Sequence, residues 1–358
     1  MSDYISELRR DLVDAAAREQ AAGRAGRVAR PLRVRAWSPT ALAGAAAVAA
    51  AIVAVVVTLT TLAPPPKPSD AKIVATVHLG GQPRDAVFAG GSVWIADHDG
   101  QVVQLDPAKR GVRARVRVGG TPVWVTAANG AVWVMSTNAR STGSHLYKLD
   151  ARSGKLLGRV AVGASGQAVA AGAGGLWILA DWRQGDLERV DPDSHRRTAF
   201  IPDILTMDLA VNGQSVWTRR EDQVIEIDAT SARVVNRVRG ISSFASFPST
   251  RALLPDRDGV WAVDDTGGRL VRVEGGRVVR RIPVGAVAGV VGRVGSAIWV
   301  NVSREPDNAN QLVRVDLDEG KVVQRIAVGF DVPQTLVPVG KNLWVITSGG
   351  KAMLVSPE

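Results

Sequence analysis

Residues 130–139 read GAVWVMSTNA, an apolar residue and a tryptophan, Val132-Trp133, set just behind a glycine turn. The phrase returns as GSVWIAD (91–97), GGLWILA (174–180), QSVWTRR (214–220), DGVWAVD (258–264), SAIWVNV (296–302) and KNLWVIT (341–347). The seven tryptophans, Trp94, Trp133, Trp177, Trp217, Trp261, Trp299 and Trp344, are spaced by 39, 44, 40, 44, 38 and 45 residues. A period near 40, built of short strands and glycine turns, is the signature of a β-propeller with about four strands per blade.

One blade reads as strand a PVWVTAA, a tight NG turn, strand b AVWVMS, strand c HLYKLD, an ARSG hairpin and strand d KLLGRVAVG. The alternation in VRARVRVGG suits an outer strand with one wet face. Each blade must bury both sheet faces against its neighbours, so a bulky ring at one place in strand b fills the wedge between blades. The tryptophans are therefore read as packing. A second marker, Asp106, Asp150, Asp191, Asp228, Glu274 and Asp316, closes strand c, where a carboxylate can accept backbone amides two residues on and tighten the c–d hairpin.

From each Trp to the next acid the distance varies, 12, 17, 14, 11, 13 and 17 residues; from acid to next Trp it is 27, 27, 26, 33, 25 and 28. Length variation thus concentrates in the b–c loops, with one insertion around ISSFASFPST. The last repeat, 334–358, has strands a, b and c but no d, while AKIVATVHLGG precedes the first repeat as a stray d strand. The expected fold is all-β: a seven-bladed propeller over 72–358, closed by the N-terminal strand.

Ahead of it, residues 40–63 form a 24-residue run without a charge, long enough to cross a bilayer as a helix. The run is too long for a signal-peptide core, and Pro64-Pro65-Pro66 follows at once, so 37–63 is read as an uncleaved signal anchor. Arg24, Arg27, Arg30, Arg33 and Arg35 flank it on one side with no acid, which keeps the N-terminus cytoplasmic and the propeller extracytoplasmic. Ala43, Gly44, Ala47 and Ala51 form a small-residue face. Residues 1–36 read as a short amphipathic helix (Ile5, Leu8, Leu12) and a basic arm, with a cytoplasmic partner or anionic lipid as the alternative to a plain juxtamembrane helix. Residues 64–71 are a stiff spacer.

The chain has no Cys, which excludes disulfides, thiolate metal sites and Cys nucleophiles. Net charge is +10, divided as +3 on residues 1–36 and +7 on the rest. Acids and bases read as interleaved along the strands, a mixed surface and not a nucleic-acid footprint. No P-loop, HExxH or GxSxG is present, and AGAGG (171–175) sits where every repeat has a hairpin. Asp97, His98 and Asp99 could hold a divalent cation but lack EF-hand spacing, and a polar turn is the simpler reading.

In the segments VG..P..V, G.VWV and L.RVD...GKVV.RI.VG, clearest at 118–162 and 297–329, the chain resembles the YVTN-type β-propeller repeat family, with Trp where that family has Tyr. The resemblance implies the propeller fold and a binding or scaffold role. The related streptogramin B lyases imply seven blades, a metal and a His base. The four histidines here, His78, His98, His145 and His195, do not reproduce that grouping, and the last four repeats contain none.

Residues outside the repeat consensus on the b–c/d–a face are the binding candidates. Trp124 starts strand a where other repeats have Asp85, Ala168 and Asp208. Trp182, Arg183, Arg140, Arg219, Arg220 and Arg304 fall in b–c loops, and Arg84, Asp85, Asp208 and Gln334 lie near the channel mouth. Aromatics with arginines suit an anionic sugar, an acidic peptide or a cell-wall fragment, and the expected partner is an extracytoplasmic protein, peptide or glycan. The expected protein is a membrane-anchored binding module without catalysis, cofactor or metal. The alternatives are a metal-dependent lyase or quinone-dependent oxidoreductase, and a transmembrane sensor.

Overall fold

The computed structural model describes residues 70–138, 143–163, 166, 168–181, 185–204, 206, 208–242, 251–285, 288–304 and 309–356. The N-terminal helix, basic arm, apolar run and most of the spacer lie outside these residues. Among the described residues there is no helix; 28 strands form seven four-stranded antiparallel sheets. The first blade comprises Pro83–Ala89 (a), Ser92–Asp97 (b), Gln101–Asp106 (c) and Gly111–Arg117 (d), hydrogen-bonded in that order. Blades two to six occupy 121–162, 168–201, 209–239, 253–283 and 288–329. Each innermost strand packs on the next, and the seventh meets the first, so the ring is closed.

The seventh blade takes strands a to c from 333–356 and its outer strand from Lys72–His78. Ile73 pairs with Val355, Thr76 with Met353 and His78 with Lys351. Gln324 of the sixth blade fastens the start of this strand, donating to the Ala71 carbonyl at 2.6 Å and accepting the Ala71 amide at 3.1 Å. Lys72 lies opposite Ser356, the end of strand c, so the spacer joins the ring on the c–d face. Lys67–Glu358 forms one compact unit with its own core and its own closure.

Burial follows from position in the blade. Strand b has a sheet on either face, and Ser92–Asp97 and Gly259–Asp264 are buried at every residue. Outer strands alternate exposed and half-buried, as in Arg233–Arg239 and Lys72–His78. All seven repeat tryptophans are buried. A long polar side chain across from the ring on strand c then reaches into the next blade. Lys148 lies opposite Trp133, 5.0 Å from its ring, and donates to Pro192 O at 3.5 Å. Arg189, opposite Trp177, does the same toward Ala229 O at 2.6 Å. Trp94 donates its own indole N–H to Ala151 O at 3.2 Å. The hairpin it meets needs Gly154, which has φ +74° and whose Cβ would stand 3.1 Å from the indole.

The strand-c acids act as expected at five of six hairpins. Asp150 accepts the Arg152 and Ser153 amides at 3.1 and 2.7 Å, and Asp106, Asp191, Asp228 and Asp316 make equivalent bonds. These amide and hydroxyl donors hold Asp106, Asp150, Asp191 and Asp228 below the usual carboxylate range. Glu274 departs from the pattern. Its turn is Gly275-Gly276, both left-handed, which closes without a side-chain tie, and Glu274 pairs with Arg272 at 3.6 Å.

The expected interleaving of charge is corrected. The seven outer strands carry fourteen Lys and Arg and no Asp or Glu, whereas the other 21 strands carry eleven basic and thirteen acidic residues. The charges are mixed along the chain but sorted by position in the blade.

Replacing Trp177, which packs in a core shared by the second, third and fourth blades, with Ala should cost about 3–5 kcal/mol in urea unfolding. A loss below 1 kcal/mol would contradict the packing role.

Candidate functional site

Each inner strand turns one unpaired edge toward the ring axis, and its amides and carbonyls must find partners there. Two of these partners come from one recurring position, two residues before the strand-a residue that faces the tryptophan. That position holds Asp85, Trp124, Ala168, Asp208, Ala252, Val290 and Thr335. Asp85 accepts the Val125 amide of the next blade at 2.9 Å, and Asp208 accepts the Ala252 amide of its next blade at 2.9 Å. Close by, Thr126 Oγ1 accepts the Ala171 amide at 3.1 Å.

Arg251 opens the fifth blade and spans the axis. Its Nε and Nη2 donate to Asp85 Oδ1 and Oδ2 of the first blade at 2.6 and 2.7 Å, and Nη2 also donates to Val125 O of the second at 2.5 Å. The guanidinium lies 5.2 Å from the Trp124 ring. Blades on opposite sides of the ring are thereby joined by a bidentate ion pair whose carboxylate side chain is 2% exposed.

A second cluster stands between the fourth and fifth blades. Arg219 donates from Nη1 to Val263 O at 2.6 Å, and lies 3.4 Å from both Asp208 and Asp265. Thr206 Oγ1 donates to Arg219 O at 2.7 Å and accepts the Asp208 amide at 3.2 Å. Burial pushes Asp208 up to about 6, against the lowering effect of Arg219 and the Ala252 N–H.

These contacts correct the expected open surface. Asp85, Trp124, Asp208 and Arg219 are 1%, 1%, 3% and 5% exposed, the first two set against Arg251 and the last two against each other. Arg219 and Arg220 end strand b (Ser215–Arg220) instead of lying in the b–c loop, and Arg220 pairs with Glu221 at 3.5 Å. Arg304 also ends a strand, Ala297–Arg304, and its side chain lies outside the description. Arg140, Trp182 and Arg183 fall outside the described residues. Arg84 and Gln334 are half-buried on the expected face. Arg84 Nε contacts His98 Nδ1 at 3.5 Å; burial first, then Arg84, lower the His98 pKa.

The Asp97-His98-Asp99 turn is structural. Asp97 is fully buried and accepts the Gln82 and Asp99 amides at 2.8 and 3.2 Å and the Gln101 side chain at 3.2 Å. Asp264 serves its own blade similarly, accepting the Ser242 and Gly267 amides. Among the described residues, no three His, Asp or Glu side chains converge as metal ligands. Two open clefts, about 680 and 430 Å³, lie on the opposite a–b/c–d face; Ala127, Ala128 and Asn129 line both.

Arg251 escaped the sequence reading because it adjoins the irregular insertion. The signal was present: an arginine immediately before the position that carries aspartate in two other blades.

Asp208 sets a pH dependence. Its folded pKa lies above the unfolded value near 3.9, so the folded state holds the proton more tightly between about pH 4 and 6. Stability from this group is complete below pH 4 and is lost as pH rises through 6, by on the order of 3 kcal/mol. Urea unfolding of the Asp208→Asn variant should show a flatter profile between pH 4 and 7; an unchanged slope would contradict the assignment. Arg251→Ala leaves the Asp85 carboxylate buried without its ion partner and should destabilise by about 3–5 kcal/mol.

No protein-family model matches the chain, and no curated relative is detectable from its sequence. Solved structures do match. The crystal structure of BamB from Moraxella catarrhalis superposes with a TM-score of 0.55 at 15% identity, over 80% of this chain and 94% of that one. At that identity the likeness is one of fold, and the fold is the β-propeller.

Proposed function

We propose that the chain is a membrane-anchored, extracytoplasmic propeller of the YVTN type that binds a protein, peptide or glycan without turning it over. The observation that carries this reading is the barred axis. Arg251 and Asp85 spend their bidentate contacts on each other and on Val125, and Asp208 spends its own on Ala252 and Arg219. The polar groups that could converge on a substrate in the channel are instead structural struts. Recognition then falls to the loops around the mouth, where length varies and to which the sequence assigns Arg140, Trp182 and Arg183, with Arg84 and Gln334 half-buried on that face.

The anchoring half of the proposal rests on the uncharged run 40–63 and its arginine flank. The closing strand begins at the c–d end of the ring, opposite the b–c loops. A protease site inserted at 139–142 of the full chain should be cut by protease added outside intact spheroplasts. Protection there, with cleavage only after lysis, would overturn the topology.

Binding is tested separately, with a photo-crosslinking residue at position 140 or 183 of the full chain in its own membrane. Discrete adducts should form and weaken several-fold in the Trp182→Ala variant. Adducts indifferent to that change, or turnover of the captured molecule, would count against a non-catalytic binding face.

A further inference from the structure

We propose that the outer wall of the ring is a docking surface for a linear, phosphate-bearing polyanion that crosses the outer strands of neighbouring blades. The surface is distinct from the b–c loops, and its test does not depend on membrane anchoring.

The observation is the sorting of charge, fourteen basic and no acidic residues on the seven outer strands. Lysine or arginine on an exposed edge also discourages strand pairing between molecules, and one per strand serves that purpose. Leu156–Val162 and Arg197–Ile201 carry one each, while Gly111–Arg117, Arg233–Arg239 and Arg277–Pro283 carry three each. Arg115 and Arg280 donate to carbonyls of adjoining blades, Leu79 O and Leu317 O, and the exposed remainder asks for another cause. Arg113, Arg117, Arg237, Arg239, Arg277 and Arg281 are all exposed. Successive outward residues on a strand stand roughly 6–7 Å apart, so Arg237 and Arg239 form the rungs of a short ladder.

Two contacts make the wall continuous from blade to blade. The fifth blade's hairpin lies on the fourth blade's outer strand, where a Cβ on Gly276 would meet Asn236 Oδ1 at 2.4 Å. Arg280 in turn donates to Leu317 O of the sixth blade. Hairpin acids nearby, such as Asp228 and Asp316, are already engaged by backbone amides.

The shape of the occupant follows from the arrangement. Outer strands stand around a ring, so a flat bilayer touches only one or two blades, whereas a flexible chain can follow several. Guanidinium forks match phosphate oxygens in bidentate geometry. Nucleic acid fits less well: Phe200 is the one aromatic residue on the seven outer strands, and base stacking needs aromatic platforms.

The test uses residues 67–358, the self-contained propeller, with long-chain inorganic polyphosphate as the probe. Saturable binding is expected in 50 mM salt, weakening roughly 20–40-fold at 200 mM if about three phosphates are neutralised. The triple variant R237Q/R239Q/R281Q should bind at least tenfold more weakly at low salt. The control R257Q/R269Q/K341Q, which removes as much exposed charge away from the outer strands, should stay within twofold. Thermal melting monitors both folds, and the single R237Q and R281Q variants, each expected to lose several-fold, serve if the triple does not fold. Equal loss in both triples would reduce the effect to diffuse net charge and overturn the proposal. So would absent binding at 50 mM salt, or phosphatidylglycerol vesicles that bind through the same arginines while polyphosphate does not.

Discussion

A four-stranded sheet has two unpaired edges, and everything particular about this ring follows from how those edges are treated. The outer edge faces solvent and is lined with lysine and arginine. The inner edge faces the axis, and three of its amides are met by side chains from the preceding blade: Asp85 on Val125, Asp208 on Ala252, Thr126 on Ala171. The tryptophans complete the scheme between the edges by filling the wedge that opens as seven flat-sided sheets are set around a circle.

Arg251 extends inner-edge satisfaction across the whole channel. A buried carboxylate is expensive to desolvate, and Asp85 is tolerated because a bidentate guanidinium and a backbone amide take up its oxygens. The neighbouring Asp208 is served less well. Its arginine stands at 3.4 Å and is shared with Asp265, and burial pushes its pKa up to about 6.

The architecture was legible from spacing alone. Seven tryptophans at a period near 40 imply seven blades, and the missing last strand together with the extra first one implies closure between Ile73 and Val355. The hairpin aspartates were equally readable, since a short carboxylate two residues from an amide is a local device. What the sequence concealed is non-local. Trp124, Asp85 and Asp208 were read as lining an open face, yet all three are buried, the first two against Arg251 and the third against Arg219. Nothing in the spacing brings Arg251 to Asp85, 166 residues away. The segregation of charge was hidden too, because outer strands alternate in sequence with acid-bearing strands.

The closing strand also governs the order of assembly. The first of the described strands, Lys72–His78, finds its ladder only in Lys351–Ser356, the last of them. Contacts so distant along the chain form late, because the intervening loop must be drawn in before they contribute. Until Leu343, Val345 and Met353 have been made, Ile73 lacks the apolar partners it packs against in the closed ring.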